Sequence, residues 1–215
     1  MAVELYDEHE QSERVRKWLR EYVPAIVMGL VLAFGGIFGF RYWQDQQAGQ
    51  QALAADYFNL IQNEIEAGRL QVAEDHFESM RADVRRSGYL GLAGLAMAGA
   101  YVDDGRLEPA ARLYRELLEQ RQMEMLRPVA RIRLARVLFA QGDVRDALQV
   151  IDGEPPRGFE AAWHELRGDL LMELGERDQA RLAYQEALDQ SSQQGGFQRL
   201  LQMKIDATGP GGEAS

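Results

Sequence analysis

Residues Tyr22 to Phe40 form one uninterrupted run without a charged side chain, and nothing constrains the fold of this chain more. The run has nineteen residues, and as an α-helix it would be about 28 Å long at 1.5 Å per residue. That length is close to the roughly 30 Å hydrocarbon core of a bilayer. No other stretch of the sequence is comparable, so the run predicts a single membrane span followed by one soluble domain.

Two other interpretations of the run stay open. Apolar helices buried in a soluble core are usually shorter, at about 10–14 residues. A cleaved signal peptide would need a short basic leader and a small-x-small site just after the apolar region. Here some twenty acid-rich residues precede the run, and the candidate site Ala52-Leu53-Ala54 lies well beyond Phe40. The pattern therefore favours an uncleaved anchor over residues 22–43, with Pro24 in the first turn of its helix.

The ends of the anchor indicate its orientation. Aromatic residues with polar edges, which favour the membrane interface, stand at both boundaries: Trp18, Tyr22, Tyr42 and Trp43. Four basic residues lie just before the uncharged run, whereas only Arg41 follows that run before Arg69. The positive-inside rule then places a tail of residues 1–21 in the cytoplasm and the C-terminal domain on the other side. In a bacterium that would be the inner membrane and the periplasm.

Small residues recur along the anchor at helical spacing. One stripe contains Gly29, Ala33 and Gly36, and Gly35 and Gly39 form a G-x-x-x-G pair. Small residues allow two helices to approach closely in lipid, which makes these five candidates for helix–helix packing. Glycine is also simply common in membrane spans, so both explanations remain open.

The charge of the soluble part limits its partners. From Gln44 onward there are 19 Lys or Arg and 28 Asp or Glu, a formal charge of −9. Nucleic acids require a basic face, so they are not expected as ligands. The chain has no cysteine, which excludes disulfides and thiolate-bound metals. These features suit a protein-binding module held near a membrane.

A short pattern occurs four times in the soluble part. A turn glycine is followed five residues later by an alanine and, four further on, by a large apolar residue. The instances are Gly68/Ala73/Phe77, Gly105/Ala110/Tyr114, Gly142/Ala147/Ile151 and Gly175/Ala180/Tyr184. The glycines are 37, 37 and 33 residues apart. The pattern predicts four helical hairpins, each second helix starting just after its glycine.

A period near 34 residues resembles tetratricopeptide repeats. The last unit resembles them best, with Trp163, Gly168, Leu171, Gly175, Ala180, Tyr184 and Ala187 in place. We therefore predict an all-α chain: one transmembrane helix, then a tetratricopeptide-like helical-hairpin solenoid over 44–207. Gly153 and Pro155-Pro156 should shorten the second helix of the third unit. Phe197 to Asp206 reads as a closing helix, and residues 208–215, rich in Gly and Pro, as a disordered tail.

Nothing in the sequence indicates an enzyme. The three histidines stand apart at positions 9, 76 and 164, and no His-Glu-x-x-His or phosphate-loop motif occurs. His164 is expected on the surface, and Asp103-Asp104 at a helix end. We predict no catalytic residues, no metal site and no cofactor.

Binding is therefore the expected activity, and the first helix of each repeat usually lines the groove. Projecting the repeat frame onto those helices gives these groove candidates: Leu92, Leu95, Ile132, Arg136, Phe139, Glu165, Asp169 and Met172. Some of the apolar ones could equally be core residues. Arg136 and Asp169 are the best candidates, because packing alone does not explain a charged residue at an inward position.

The order of these features resembles one family along almost the whole chain. The span ends in Arg41-Tyr42-Trp43, and the repeat domain contains Leu134-Ala135-Arg136-Val137, Leu166-Arg167-Gly168-Asp169 and Met203-Lys204-Ile205. This is similar to the ancillary SecYEG translocon subunits, the YfgM-like proteins of Gram-negative bacteria. The resemblance implies an N-in inner-membrane protein with a periplasmic domain. It also implies that SecYEG channel subunits, a membrane-anchored parvulin-like periplasmic chaperone and exported polypeptides are its partners.

Three functions are compatible with this sequence. The first is a non-enzymatic adaptor that links exported proteins to periplasmic chaperones at the translocon. The second is a scaffold subunit of another cell-envelope complex. The third is a stress-response modulator regulated through its cytoplasmic tail, for example by proteolysis.

Overall fold

The computed structural model describes residues 4–84, 87–191 and 195–209, and every regular element in those ranges is helical. A short 3-10 helix, Arg121–Leu126, precedes the fifth α-helix. The α-helices are α1 (Glu4–Glu66), α2 (Leu70–Asp83), α3 (Gly88–Asp103), α4 (Leu107–Glu119), α5 (Arg127–Gln141), α6 (Val144–Val150), α7 (Glu160–Glu173), α8 (Arg177–Gln190) and α9 (Gly195–Ala207). The chain divides into two compact units, Met1–Ala52 and Leu53–Ser215. The prediction of an all-α chain is confirmed.

The first unit consists of the N-terminal part of α1. Its apolar side chains between Tyr22 and Trp43 are exposed wherever the structure describes them. By length and composition this is the one described helix that could cross a membrane, although a signal sequence would meet the same criteria. Pro24 is not in the first turn as predicted, because α1 begins at Glu4 and the proline lies inside it. The proline ring removes one backbone hydrogen bond from α1, and the helix continues on both sides of it.

The second unit contains the predicted hairpins. The end of α1 pairs with α2, and α3/α4, α5/α6 and α7/α8 follow, with α9 after the last hairpin. All four turn glycines are left-handed: Gly68 (φ 70), Gly105 (φ 76), Gly142 (φ 87) and Gly175 (φ 79). In each turn the next residue donates its N–H to the carbonyl five residues back, for example Asp143 to Leu138 at 2.9 Å. This is the Schellman arrangement, and it explains why glycine recurs there.

The repeated alanines and large residues form the core. Ala73, Ala110, Ala147 and Ala180 are fully buried, and the large residue four positions after each is at most 5% exposed. As predicted, α6 is short, ending at Val150 before Gly153 and the two prolines. The hydrophobic core nevertheless continues past them, because Ile151 and Trp163 belong to one buried cluster.

The closing helix α9 packs on the last hairpin. Leu201 is fully buried in a cluster with Leu171, Ala183 and Ala187. The ordered chain extends into the predicted tail. Thr208 is 5% exposed, its hydroxyl donates to the Ile205 carbonyl at 2.7 Å and Arg181 Nε donates to it at 2.8 Å. Residues 210–215 of that tail lie outside the described residues.

Candidate protein-binding surface

The predicted groove residues all lie on the first helices of three successive hairpins. Leu92 and Leu95 are on α3, Ile132, Arg136 and Phe139 are on α5, and Glu165, Asp169 and Met172 are on α7. The structure separates this set by burial. Leu95 and Ile132 are buried in the main core, and Phe139 packs against it. Met172 packs against the smaller cluster beneath α9.

The charged members of the set meet at Lys204 of α9. Lys204 Nζ donates to Glu165 Oε1 at 2.8 Å and to both Asp169 oxygens at 2.7 and 2.8 Å. Arg136 Nη2 lies 3.6 Å from the other oxygen of Glu165. Sequence reasoning did not assign Lys204 to this surface. The one available signal was a lone lysine in a closing helix of a chain that contains only two lysines.

Tyr184 completes this polar network. Its hydroxyl donates to Asp169 Oδ1 at 2.8 Å, and Lys204 Nζ lies 5.6 Å from the centre of its ring. Burial raises the pKa of the Tyr184 hydroxyl, and the hydrogen bond to Asp169 raises it further. Burial tends to lower the pKa of Lys204, but its bonds to Asp169 and Glu165 outweigh this and raise it. The two α7 carboxylates of the predicted groove, Glu165 and Asp169, are thus already paired with Lys204 within the domain.

The open part of the surface lies between α3 and α5. A cavity of about 510 Å³ is lined there by Leu95 and Gly99 of α3, Arg133, Arg136 and Val137 of α5, and Tyr114 of α4. Leu95 and Arg136 were predicted, whereas Arg133 and Gly99 were not. The cavity exists largely because small residues occupy this stretch of α3: Ala96, Gly99 and Ala100.

The groups considered for chemistry do not meet. Among the described residues, no three or more His, Cys, Asp or Glu side chains are grouped to hold a metal ion. His164 is not on the surface as predicted: its side chain is 14% exposed and lies 2.9 Å from Glu186 of α8. It is covered because α8 packs over that side of α7. Asp103 and Asp104 stand at the end of α3, as predicted.

Comparison with known proteins places these features in a family. Residues 16–210 match the tetratricopeptide repeat-like domain. The chain is 30% identical to the ancillary SecYEG translocon subunit of Escherichia coli (strain K12) over 95% of its own length and 98% of the relative's. The proteins of the same name from Haemophilus influenzae and Aggregatibacter actinomycetemcomitans are 26% and 25% identical, each over 93% of this chain and 97% of the relative.

Solved structures agree on the fold. A Podosopora anserina protein with nearly identical TPR-like repeats superposes with a TM-score of 0.54 at 15% identity, and a point variant of that protein superposes with 0.56 at 16%. Each superposition covers 72% of this chain and 84% of the other. At this identity the likeness concerns the fold alone, and it supports the helical-hairpin solenoid.

Proposed function

Because the chain belongs to the ancillary SecYEG translocon subunit family, with its tetratricopeptide repeat-like domain, we propose that it is a non-enzymatic adaptor at the SecYEG translocon. The observation that carries the proposal is similarity to relatives of that name along 93–95% of the chain. A helical-hairpin domain supports it, because such domains act through extended protein-binding surfaces.

The adaptor would link newly exported polypeptides to a membrane-anchored, parvulin-like periplasmic chaperone. Residues 22–43 would anchor it in the inner membrane, with residues 1–21 in the cytoplasm and the repeat domain, 44–207, in the periplasm. The apolar stretch of α1 and the basic residues before it support this arrangement. The acidic charge of the repeat domain supports protein rather than anionic lipid as its ligand.

The test is affinity purification of the full-length protein from its native membranes in a mild detergent, with partners identified by mass spectrometry. We expect SecYEG subunits and a periplasmic chaperone in the eluate. The matched control replaces residues 22–43 with an unrelated single span, which keeps the repeat domain at the membrane. Recovery of a different envelope complex, with no channel subunit, would refute the adaptor role.

A further inference from the structure

The cavity between α3 and α5 has the size of a small binding site. Its volume of about 510 Å³ falls within the 300–1,000 Å³ usual for ligand pockets. It opens to solvent past the exposed residues Val102, Arg133, Arg136 and Ala140. Its apolar wall includes Leu95, which is only 8% exposed. The cavity can therefore take a large apolar side chain from a partner.

The charges around the cavity differ from those of the domain that contains it. Its lining includes the two guanidinium groups of Arg133 and Arg136 and one carboxylate, Asp103. The sequence from Gln44 onward, by contrast, has a formal charge of −9. The cavity is thus a local positive site on an acidic domain.

Neither arginine is held by a close ion pair, although Arg133 also neighbours the Tyr114 hydroxyl. Among the described side chains, Arg133 forms no ion pair within 4.0 Å. The contact of Arg136 with Glu165 is loose at 3.6 Å, while Lys204 holds the other oxygen of Glu165 at 2.8 Å. Arginine binds carboxylates through paired hydrogen bonds, which favours an acidic group over a basic one here.

We propose that this cavity binds a polypeptide segment in which a large apolar residue is followed by an acidic residue. The apolar side chain fills the space over Gly99, and its neighbouring carboxylate pairs with Arg133 and Arg136. The proposal rests on the adaptor function above and specifies the kind of segment that the adaptor recognises. It also places recognition on the second and third hairpins, since Lys204 satisfies the carboxylates of α7.

The test measures binding of fluorescein-labelled twelve-residue peptides to the full-length protein in detergent by fluorescence polarisation. The peptides differ only at the residue after a central Phe, which is Glu or Lys, and a third peptide has Ser in place of Phe. We expect the Phe-Glu peptide to bind about tenfold more tightly than either of the others. Equal affinities of the Glu and Lys peptides would overturn the proposal.

Two variants locate the site. Gly99→Leu would fill the cavity, and a Cβ at Gly99 meets no atom within 4 Å, so the fold is expected to tolerate it. It should weaken the Phe-Glu peptide about tenfold, whereas Gly49→Leu, an equally unobstructed position on α1, should not. Unchanged binding by Gly99→Leu would contradict the proposed site.

Charge reversal separates recognition from folding. The double variant Arg133→Glu/Arg136→Glu should prefer the Phe-Lys peptide, a gain of binding that misfolding cannot produce. Arg167→Glu, an exposed arginine of α7, is the control and should keep the wild-type preference. A double variant that still favours Glu would refute the role of the arginines. If channel subunits co-purify with the protein but the peptides show no preference, this inference alone is rejected. If the Phe-Glu peptide is preferred but no channel subunit co-purifies, the adaptor function alone is rejected.

Discussion

At the residue scale, the closest helix packing in the last hairpin depends on one missing side chain. Gly168 of α7 faces the ring of Tyr184 on α8, and a Cβ at Gly168 would overlap that ring. The same position in the two preceding hairpins is Ala98 or Ala135, both fully buried. The last repeat therefore combines a glycine with Tyr184, whereas the second combines Ala98 with Tyr114 and the third combines Ala135 with Ile151.

Gly168→Ala is expected to destabilise the protein by about 1–3 kcal/mol, because the added methyl group overpacks a filled interface. Urea unfolding followed by circular dichroism measures this. Gly99→Ala is the matched control, since a Cβ there is unobstructed and alanine is the better helix former. It should stabilise the protein by about 0.5–1 kcal/mol. Equal effects of the two substitutions would contradict the packing explanation.

Because of Lys204, we expect the stability of the last hairpin to decrease at alkaline pH. Its pKa in the folded protein is raised above the ordinary 10.5, so the folded state binds its proton more tightly than the unfolded chain does. The stabilisation is complete below about pH 10.5 and is lost as the pH rises through the folded pKa.

Lys204→Met should cost about 2 kcal/mol near neutral pH, a value typical of hydrogen bonds to charged groups. The difference in unfolding free energy between wild type and Lys204→Met should then shrink as the pH is raised from about 9 to about 12. Using this difference cancels the ionisation of groups other than those that contact Lys204. A difference that is constant over this range would show that the ammonium charge contributes nothing.

At the element scale, the turn glycines terminate the first helix of every hairpin. Gly142 has φ 87, a conformation that costs residues with a Cβ about 1–2 kcal/mol. We expect Gly142→Ala to lower the free energy of unfolding by about 1 kcal/mol, and Gly142→Asn by less, because Asn tolerates this region. Thermal unfolding of the two variants side by side provides the measurement. An alanine variant as stable as the wild type would mean that the turn can be remade without a left-handed residue.

The closing helix α9 covers the last hairpin with one face. Two adjacent leucines test this, because Leu201 is fully buried and Leu200 is 40% exposed. Leu201→Ala should cost about 2–5 kcal/mol, the usual range for a buried leucine, whereas Leu200→Ala should cost much less. Chemical denaturation distinguishes them. Similar costs would indicate that α9 does not pack on α8 as described.

At the scale of the whole molecule, the orientation proposed for the chain in the membrane rests on the basic residues before the apolar stretch. Because the chain contains no cysteine, single cysteines can report it. In spheroplasts, an impermeant maleimide should label Asp178→Cys directly and Ser12→Cys only after the membrane is permeabilised. Direct labelling of Ser12→Cys would reverse the topology. Loss of that residue from the mature protein would indicate a cleaved signal peptide instead.

The sequence by itself determined the features that depend on residues close to each other in the chain. A left-handed turn requires glycine locally, and a buried helix face requires an alanine and a large residue at fixed spacing. Gly68, Gly105, Gly142 and Gly175 could therefore be assigned to turns before the fold was known. The apolar stretch before Arg41 could likewise be interpreted as a candidate membrane span, since its length alone suits a bilayer.

Only the tertiary structure decided which part of the repeat surface is open. Lys204 and Asp169 are 35 residues apart, and no local rule brings an ammonium group of α9 to a carboxylate of α7. The cavity likewise arises because the small residues of α3 happen to face Arg133 and Val137 of α5. Such contacts depend on how the hairpins stack, and stacking is set by the packing of the whole core rather than by spacing along one helix.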